Sequence, residues 1–114
     1  MEVQPREIQE YQTTESKIPF AEWLESLRDL QARVKIEKRL ERVRSGNLGD
    51  YKSVGDGVYE LRINFAGGYR VYFGQIGTKI ILLLCGGIKR TQDEDIETAK
   101  EYWRDYERRE NTNK

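Results

Sequence analysis

Apolar residues recur at two different periods along this chain, and the change of period divides it. From residue 18 to 44 the spacing is helical. Phe20, Trp23, Leu24 and Leu27 stand at i, i+3, i+4 and i+7, the stripe of a half-buried helix. Pro19 suits its first turn, where the missing N–H is no loss. A second helix is predicted from about Asp29 to Arg44, with Leu30, Val34, Leu40 and Val43 as its apolar side and Ala32 and Ile36 beside them. Gly46 is its expected C-cap. Two helices joined so closely read as a helical hairpin. From residue 58 the period drops to two. Tyr59, Leu61, Ile63 and Phe65 share one face of a strand, and Glu60, Arg62 and Asn64 the other. Tyr69, Val71 and Phe73 repeat the pattern against Arg70, Tyr72 and Gly74. Lys79 to Cys85 is apolar on both faces and reads as a central strand, ended by Gly86-Gly87.

The flanks complete the outline. Residues 2–12 alternate loosely through Val3, Ile8 and Tyr11, and Pro5 assigns them to a sheet edge. Residues 46–57 are rich in glycine and read as loop or short strand. Thr91, with Glu94 three residues on, forms a capping box for a helix running to about Glu107. Its stripe is Ile96, Ala99, Tyr102 or Trp103, and Tyr106. The tail from 110 to 114 is expected to fray. The order β-α-α-β-β-β-α describes an α+β domain occupying residues 1–114. One small, mostly antiparallel sheet packs on the helical hairpin, and a C-terminal helix follows.

Register decides what the polar face of the hairpin can do. A two-residue Gly67-Gly68 loop would set Phe65 against Arg70 and mix the faces. A three-residue loop, Ala66 to Gly68, pairs Phe65 with Tyr69, Asn64 with Arg70, Ile63 with Val71 and Arg62 with Tyr72. That register collects Arg62, Asn64, Arg70 and Tyr72 on one patch away from the core.

Composition narrows the chemistry. The 114 residues are 35 % charged and 37 % hydrophobic, enough for one domain with a modest core. Net charge is zero, but it is unevenly spread. Residues 28–44 carry seven basic and three acidic groups, and residues 58–90 carry five basic and one acidic. Both ends are acidic. A basic middle suits a nucleic-acid surface, and a solvated helix face of mixed charge is the plain alternative for residues 28–44. There is no histidine, which removes the commonest general base and metal ligand. With a single cysteine, Cys85, a zinc site is not expected, and neither is any other metal or cofactor. A lone cysteine in an apolar run fits a reducing cytoplasm. Neither a leader nor a membrane-length apolar run is visible.

The chain resembles the RelE/HigB-type toxins of bacterial type II toxin–antitoxin systems, in the addiction module killer protein subgroup. The resemblance rests on Ile18-Pro19-Phe20-Ala21-Glu22-Trp23-Leu24, Gly46-Asn47-Leu48-Gly49-Asp50, Val58-Tyr59-Glu60-Leu61-Arg62, Gly68-Tyr69-Arg70-Val71-Tyr72-Phe73 and Gly86-Gly87-Ile88-Lys89-Arg90-Thr91-Gln92, followed by Asp95-Ile96 and Ala99. It implies a RelE-like fold, metal-independent cleavage of messenger RNA on the ribosome, and a cognate antitoxin, often a helix-turn-helix protein. Where many relatives carry Gly-Gly-Asp-Lys-Ser, this chain has Gly87-Ile88-Lys89-Arg90, losing an acid and gaining Arg90.

RNA cleavage by its own 2′-hydroxyl needs cationic donors on the phosphate and proton transfer at two oxygens. The catalytic candidates are therefore Arg62, Arg70 and Lys89, and the RNA-binding candidates Asn64, Tyr72 and Arg90. Each has a plainer reading. In it Arg62 simply pairs with Glu60 or Glu94, and Arg70 with Asp56 or Asp95; Lys89 then ends a strand in solvent and Tyr72 packs at a rim. Two rival functions share the fold, a ParE-like inhibitor of DNA gyrase and a catalytically inactive protein-binding relative.

Overall fold

A single five-stranded sheet carries an apolar cluster on each face, and the helices divide between those faces. The computed structural model describes residues 4–112; Val3 of the expected first strand and the last two residues of the tail lie outside them. The elements are β1 (Glu7–Glu10), α1 (Pro19–Ser26), α2 (Leu30–Arg44), β2 (Tyr51–Gly55), β3 (Val58–Ile63), β4 (Tyr69–Ile76), β5 (Ile80–Ile88), a 3-10 turn (Lys89–Thr91) and α3 (Gln92–Thr112). Strands lie in the order β1-β5-β4-β3-β2. β1 runs parallel to β5, and every other pairing is antiparallel. The α+β class is as expected, with β2 formed from the glycine-rich stretch. No helix among the described residues is long and apolar enough to cross a membrane.

One face packs Phe20 of α1 and Ile36, Leu40 and Val43 of α2 on Leu61, Ile63, Val71, Phe73, Ile81 and Leu83. Asp29 starts α2 by accepting the N–H groups of Gln31 and Ala32 at 3.0 and 3.2 Å, which satisfies two donors the helix cannot. Gly46 ends it at φ +97°. The buried side of α2 differs from the expected one. It is Ala32, Ile36, Arg39, Leu40 and Val43, while Leu30 and Val34 are 68 % and 48 % exposed. At 3.6 residues per turn, Leu30 and Val34 stand more than about a quarter-turn from the true stripe.

The other face is covered by α3, whose Ala99 and Trp103 pack on Val58, Tyr72, Leu82 and Leu84. Sequence alternation reads this face as polar surface, and its burial corrects that expectation. Tyr11 ties the start of the chain to α3 through a 2.6 Å hydrogen bond from its hydroxyl to Asp105. A bulge opposite Tyr72 and Phe73 turns both Leu84 and Cys85 toward α3.

Three local expectations change. The β3–β4 loop is longer than three residues: Ile63 pairs with Tyr69, Leu61 with Val71, Arg62 with Arg70 and Glu60 with Tyr72. The slip is two residues, so every side chain keeps its face. Gly86 and Gly87 do not end β5 but continue it, because Trp23 lies against the first and Asp95 against the second, where a Cβ would stand. Thr91 belongs to the 3-10 turn, and its hydroxyl meets the Asp95 carboxylate at 2.5 Å rather than making a box with Glu94.

Gly74 shows how closely α3 is seated. A Cβ there would overlap the Trp103 ring. Gly74→Ala is therefore expected to destabilise the fold by about 1–3 kcal/mol through overpacking. The measurement is the urea midpoint at unchanged m-value; an unaltered midpoint would mean that α3 shifts without cost.

Candidate functional site

Pairing of β3 with β4 sets two guanidinium side chains directly opposite each other, Arg62 and Arg70. Like charges across a strand pair repel, and the anion that reconciles them is Glu60, which is fully buried. Its Oε1 accepts from Arg62 Nε at 2.9 Å, and its Oε2 accepts from Gln92 Nε2 at 2.7 Å and from the Tyr72 hydroxyl at 3.2 Å. Arg70 Nε stands 3.5 Å from Oε2, an ion-pair distance without a hydrogen bond. Burial pushes the Glu60 pKa up, but the hydrogen bonds from Arg62, Gln92 and Tyr72 and the charge of Arg70 outweigh it. The carboxyl is held below its ordinary value. Burial, reinforced by Glu60, raises the Tyr72 phenol well above its usual range, so Tyr72 stays a donor.

Above this network opens a cleft of about 490 Å³, lined by Asp50, Arg62, Asn64, Arg70, Lys89 and the loop 65–69. Arg62 is partly exposed and Arg70 is 8 % exposed. The Lys89 N–H reaches the Gly68 carbonyl at 3.3 Å, which draws the end of β5 to the hairpin loop. Gly68 sits at φ +98°, and a Cβ there would come within 3.2 Å of Arg70 Nη1. Glycine thus serves both the turn and the room for the guanidinium.

Four of the six expected residues, Arg62, Asn64, Arg70 and Lys89, line this one cleft. Tyr72 does not. Its side chain is entirely buried under α3 and cannot stack on a base; it holds Glu60 instead. Arg90 lies beyond the loop, in a shallower depression with Gly67, Tyr69, Ile88 and Lys89. Of the plainer pairings, Arg62 with Glu60 is present. Arg70 faces Glu60 too, rather than Asp56 or Asp95.

Sequence reasoning did not single out a second group of residues. A groove of about 450 Å³ adjoins the cleft, with Asp50, Arg62 and Asn64 in common, and the cations of α2 form its other wall. Lys35, Lys38, Arg39 and Arg42 all line it, and their spacing of three and four residues puts them on one side of the helix. The signal was present in the charge excess of residues 28–44. The loop Gly46-Asn47-Leu48-Gly49-Asp50 proves to be the cradle of Arg39: Nη2 donates to the carbonyls of Leu48 at 2.7 Å and Asp50 at 3.2 Å. Gly49, at φ +60°, leaves space for the guanidinium.

Comparison with known proteins bears on this arrangement. Residues 22–104 match the family model described as "Phage derived protein Gp49-like (DUF891)". A protein of Haemophilus influenzae strain Rd, carried under the words "Uncharacterized protein", is 49 % identical over 83 residues, which is 73 % of this chain and 84 % of that protein. The matched span runs from the middle of α1 into α3 and contains every residue of the cleft.

Proposed function

The chain belongs to the Gp49-like family of phage-derived proteins, and from that premise we propose that it is the toxin of a toxin–antitoxin pair. In this reading it acts as an endoribonuclease on messenger RNA, engaged on the ribosome. The observation that carries the reading is the cleft that gathers Arg62, Arg70 and Lys89 around one cavity with the amide of Asn64. A gyrase-binding toxin needs a protein-facing surface but no such concave cationic site. The resemblance to RelE/HigB toxins points the same way.

The chemistry follows from the residues. The 2′-oxygen attacks the adjacent phosphorus while the bond from phosphorus to the 5′-oxygen breaks, leaving a 2′,3′-cyclic phosphate and a 5′-hydroxyl. Arg62 and Arg70 offer fixed donors to the oxygens where negative charge grows, and Glu60 keeps both aligned before substrate arrives. Asp50, the carboxylate of the lining, takes the 2′-proton. The Lys89 ammonium delivers one to the departing 5′-oxygen. The nucleophile is the substrate's own hydroxyl, so no metal-bound water takes part. The partner in this reading is a cognate antitoxin, a helix-turn-helix protein encoded beside the toxin.

The test is induced expression followed by primer extension on cellular messenger RNA. Cuts inside translated codons are expected, leaving 5′-hydroxyl ends, and they should disappear when translation initiation is blocked. Growth arrest with intact RNA and a DNA-damage response would replace this reading with the gyrase inhibitor. Fragments with a 5′-phosphate and a 3′-hydroxyl, the products of attack by water rather than by the 2′-oxygen, would overturn the mechanism.

A further inference from the structure

We propose that the groove between α2 and the end of β3 is a second phosphodiester subsite, so that the protein holds single-stranded RNA by at least two backbone phosphates. The inference rests on the endoribonuclease reading and extends it from the scissile phosphate to a neighbouring one.

The concentration of cations in the groove carries the argument, and Arg39 is the most enclosed of them. It is 7 % exposed, an unusual place for a guanidinium. Two backbone carbonyls hold its Nη2, while Nη1 is buried and has no hydrogen-bond partner among the described residues. A buried donor without an acceptor costs about 1–3 kcal/mol, and more when charged. The fold accepts that cost at the wall of a groove whose other cations are Lys35, Lys38, Arg42 and Arg62. The carboxylate facing them is Asp50. Burial first, and then the charge of Arg42, depress the Arg39 pKa, with Asp50 opposing. An anion bound in the groove would offset the crowded charge of Lys35, Lys38, Arg42 and Arg62, while Nη1 itself stays enclosed against Gly49.

Continuity with the cleft identifies the anion. Asp50, Arg62 and Asn64 belong to both cavities, so a ligand leaving one enters the other. Lys35 Nζ stands 5.9 Å from the ring centre of Phe65, which itself lines the cleft, and this contact joins the two walls. A chain with a phosphate at each sugar fits two adjoining cationic cavities. The Asn64 amide at their junction offers both a donor and an acceptor to a base edge. Cations lining concave cavities suit a single strand with splayed bases better than a rigid duplex.

The test measures binding of all-2′-deoxy single strands, which cannot be cleaved, to the full chain. Oligonucleotides of two, four and six nucleotides are compared by fluorescence anisotropy across a salt series. Affinity is expected to rise at least tenfold from the dinucleotide to the tetranucleotide. The variant Lys35→Gln/Lys38→Gln/Arg42→Gln should lose that rise while still binding the dinucleotide. On the tetranucleotide its log-affinity against log-salt slope should fall in magnitude by about 0.7, for the one phosphate charge no longer neutralised. Circular dichroism checks its folding, and Lys38→Gln alone, with a smaller loss, serves if the triple variant is unstable. Equal affinity and slope in variant and wild type would overturn the subsite and leave the cleavage reading standing. Primer extension judges the cleavage reading separately, and failure of the wild-type chain to bind any oligonucleotide would also overturn the subsite. Competition by a glutamate heptapeptide as strong as by the tetranucleotide would overturn it as well, reassigning the groove to an acidic protein segment.

Discussion

Arg70→Ala is expected to slow RNA cleavage by about two to three orders of magnitude with the fold retained, the usual cost of losing one fixed donor to a developing oxyanion. Arg70 is the more constrained of the two arginines, enclosed beneath Gly68 and opposite Gly87, so its guanidinium is aimed rather than floating. The fold should survive because Glu60 keeps three donors, from Arg62, Gln92 and Tyr72. Arg70→Lys restores the charge without the planar fork and should recover only part of the rate. Single-turnover cleavage of messenger RNA on programmed ribosomes, read beside a urea melt of the purified variant, makes the measurement. A loss under tenfold in a folded variant would put the developing charge somewhere other than Arg70.

Removing Glu60 should instead strike stability. Glu60→Ala strips the anion from beneath two guanidinium groups and orphans the buried Tyr72 hydroxyl; breaking a buried pair this way costs about 3–5 kcal/mol. The same residue predicts a pH dependence. Its folded-state pKa lies below the ordinary carboxylate value of 4.5, so the unfolded chain binds the proton more readily. Its contribution is thus complete above the unfolded value and is lost as pH falls through the lower, folded one. Urea midpoints at pH 7, 5, 4 and 3 for the wild type and Glu60→Gln make the comparison. The advantage of the wild type should shrink on the acid side of pH 4.5. A constant difference down to pH 3 would show that the carboxylate is not held ionised by its neighbours.

Much of this is legible in the amino-acid pattern, and the failures share a cause. Strand faces survive an incorrect loop length because the slip is even: Leu61 and Val71 still face α2, and Arg62 and Arg70 still share the other side. What alternation cannot show is a second layer. Glu60, Tyr72 and Gly74 look like a solvent face until Trp103 and Gln92 are laid over them by a helix from much later in the chain. Gly86-Gly87 reads as a strand end for the same reason, since nothing local reveals that Trp23 and Asp95 occupy the missing side chains' space. In α2, periodicity does not separate apolar residues that pack from apolar residues that do not, and Arg39 reads as surface because arginine seldom goes inside. Its burial depends on carbonyls of a loop that only folding brings near. Arg62, Arg70, Asn64 and Lys89 are legible because their chemistry is written in residue type, whereas their organiser, a glutamate among hydrophobes, is written only in three dimensions.

The parallel pairing of β1 with β5 also imposes an order in time. Residues 7–10 bond to residues 80–83, and Tyr11 to Asp105, so β1 must wait for β5 and α3 to be made. A closure across that span is slow to find compared with the local β3–β4 hairpin. Gln92, which steadies Glu60 between the arginines, likewise emerges late. During synthesis the hairpin bearing both arginines therefore exists before the parts that lock them in line. A nascent chain halted short of α3 carries the cations of the cleft without their alignment, which arrives only once α3 is made.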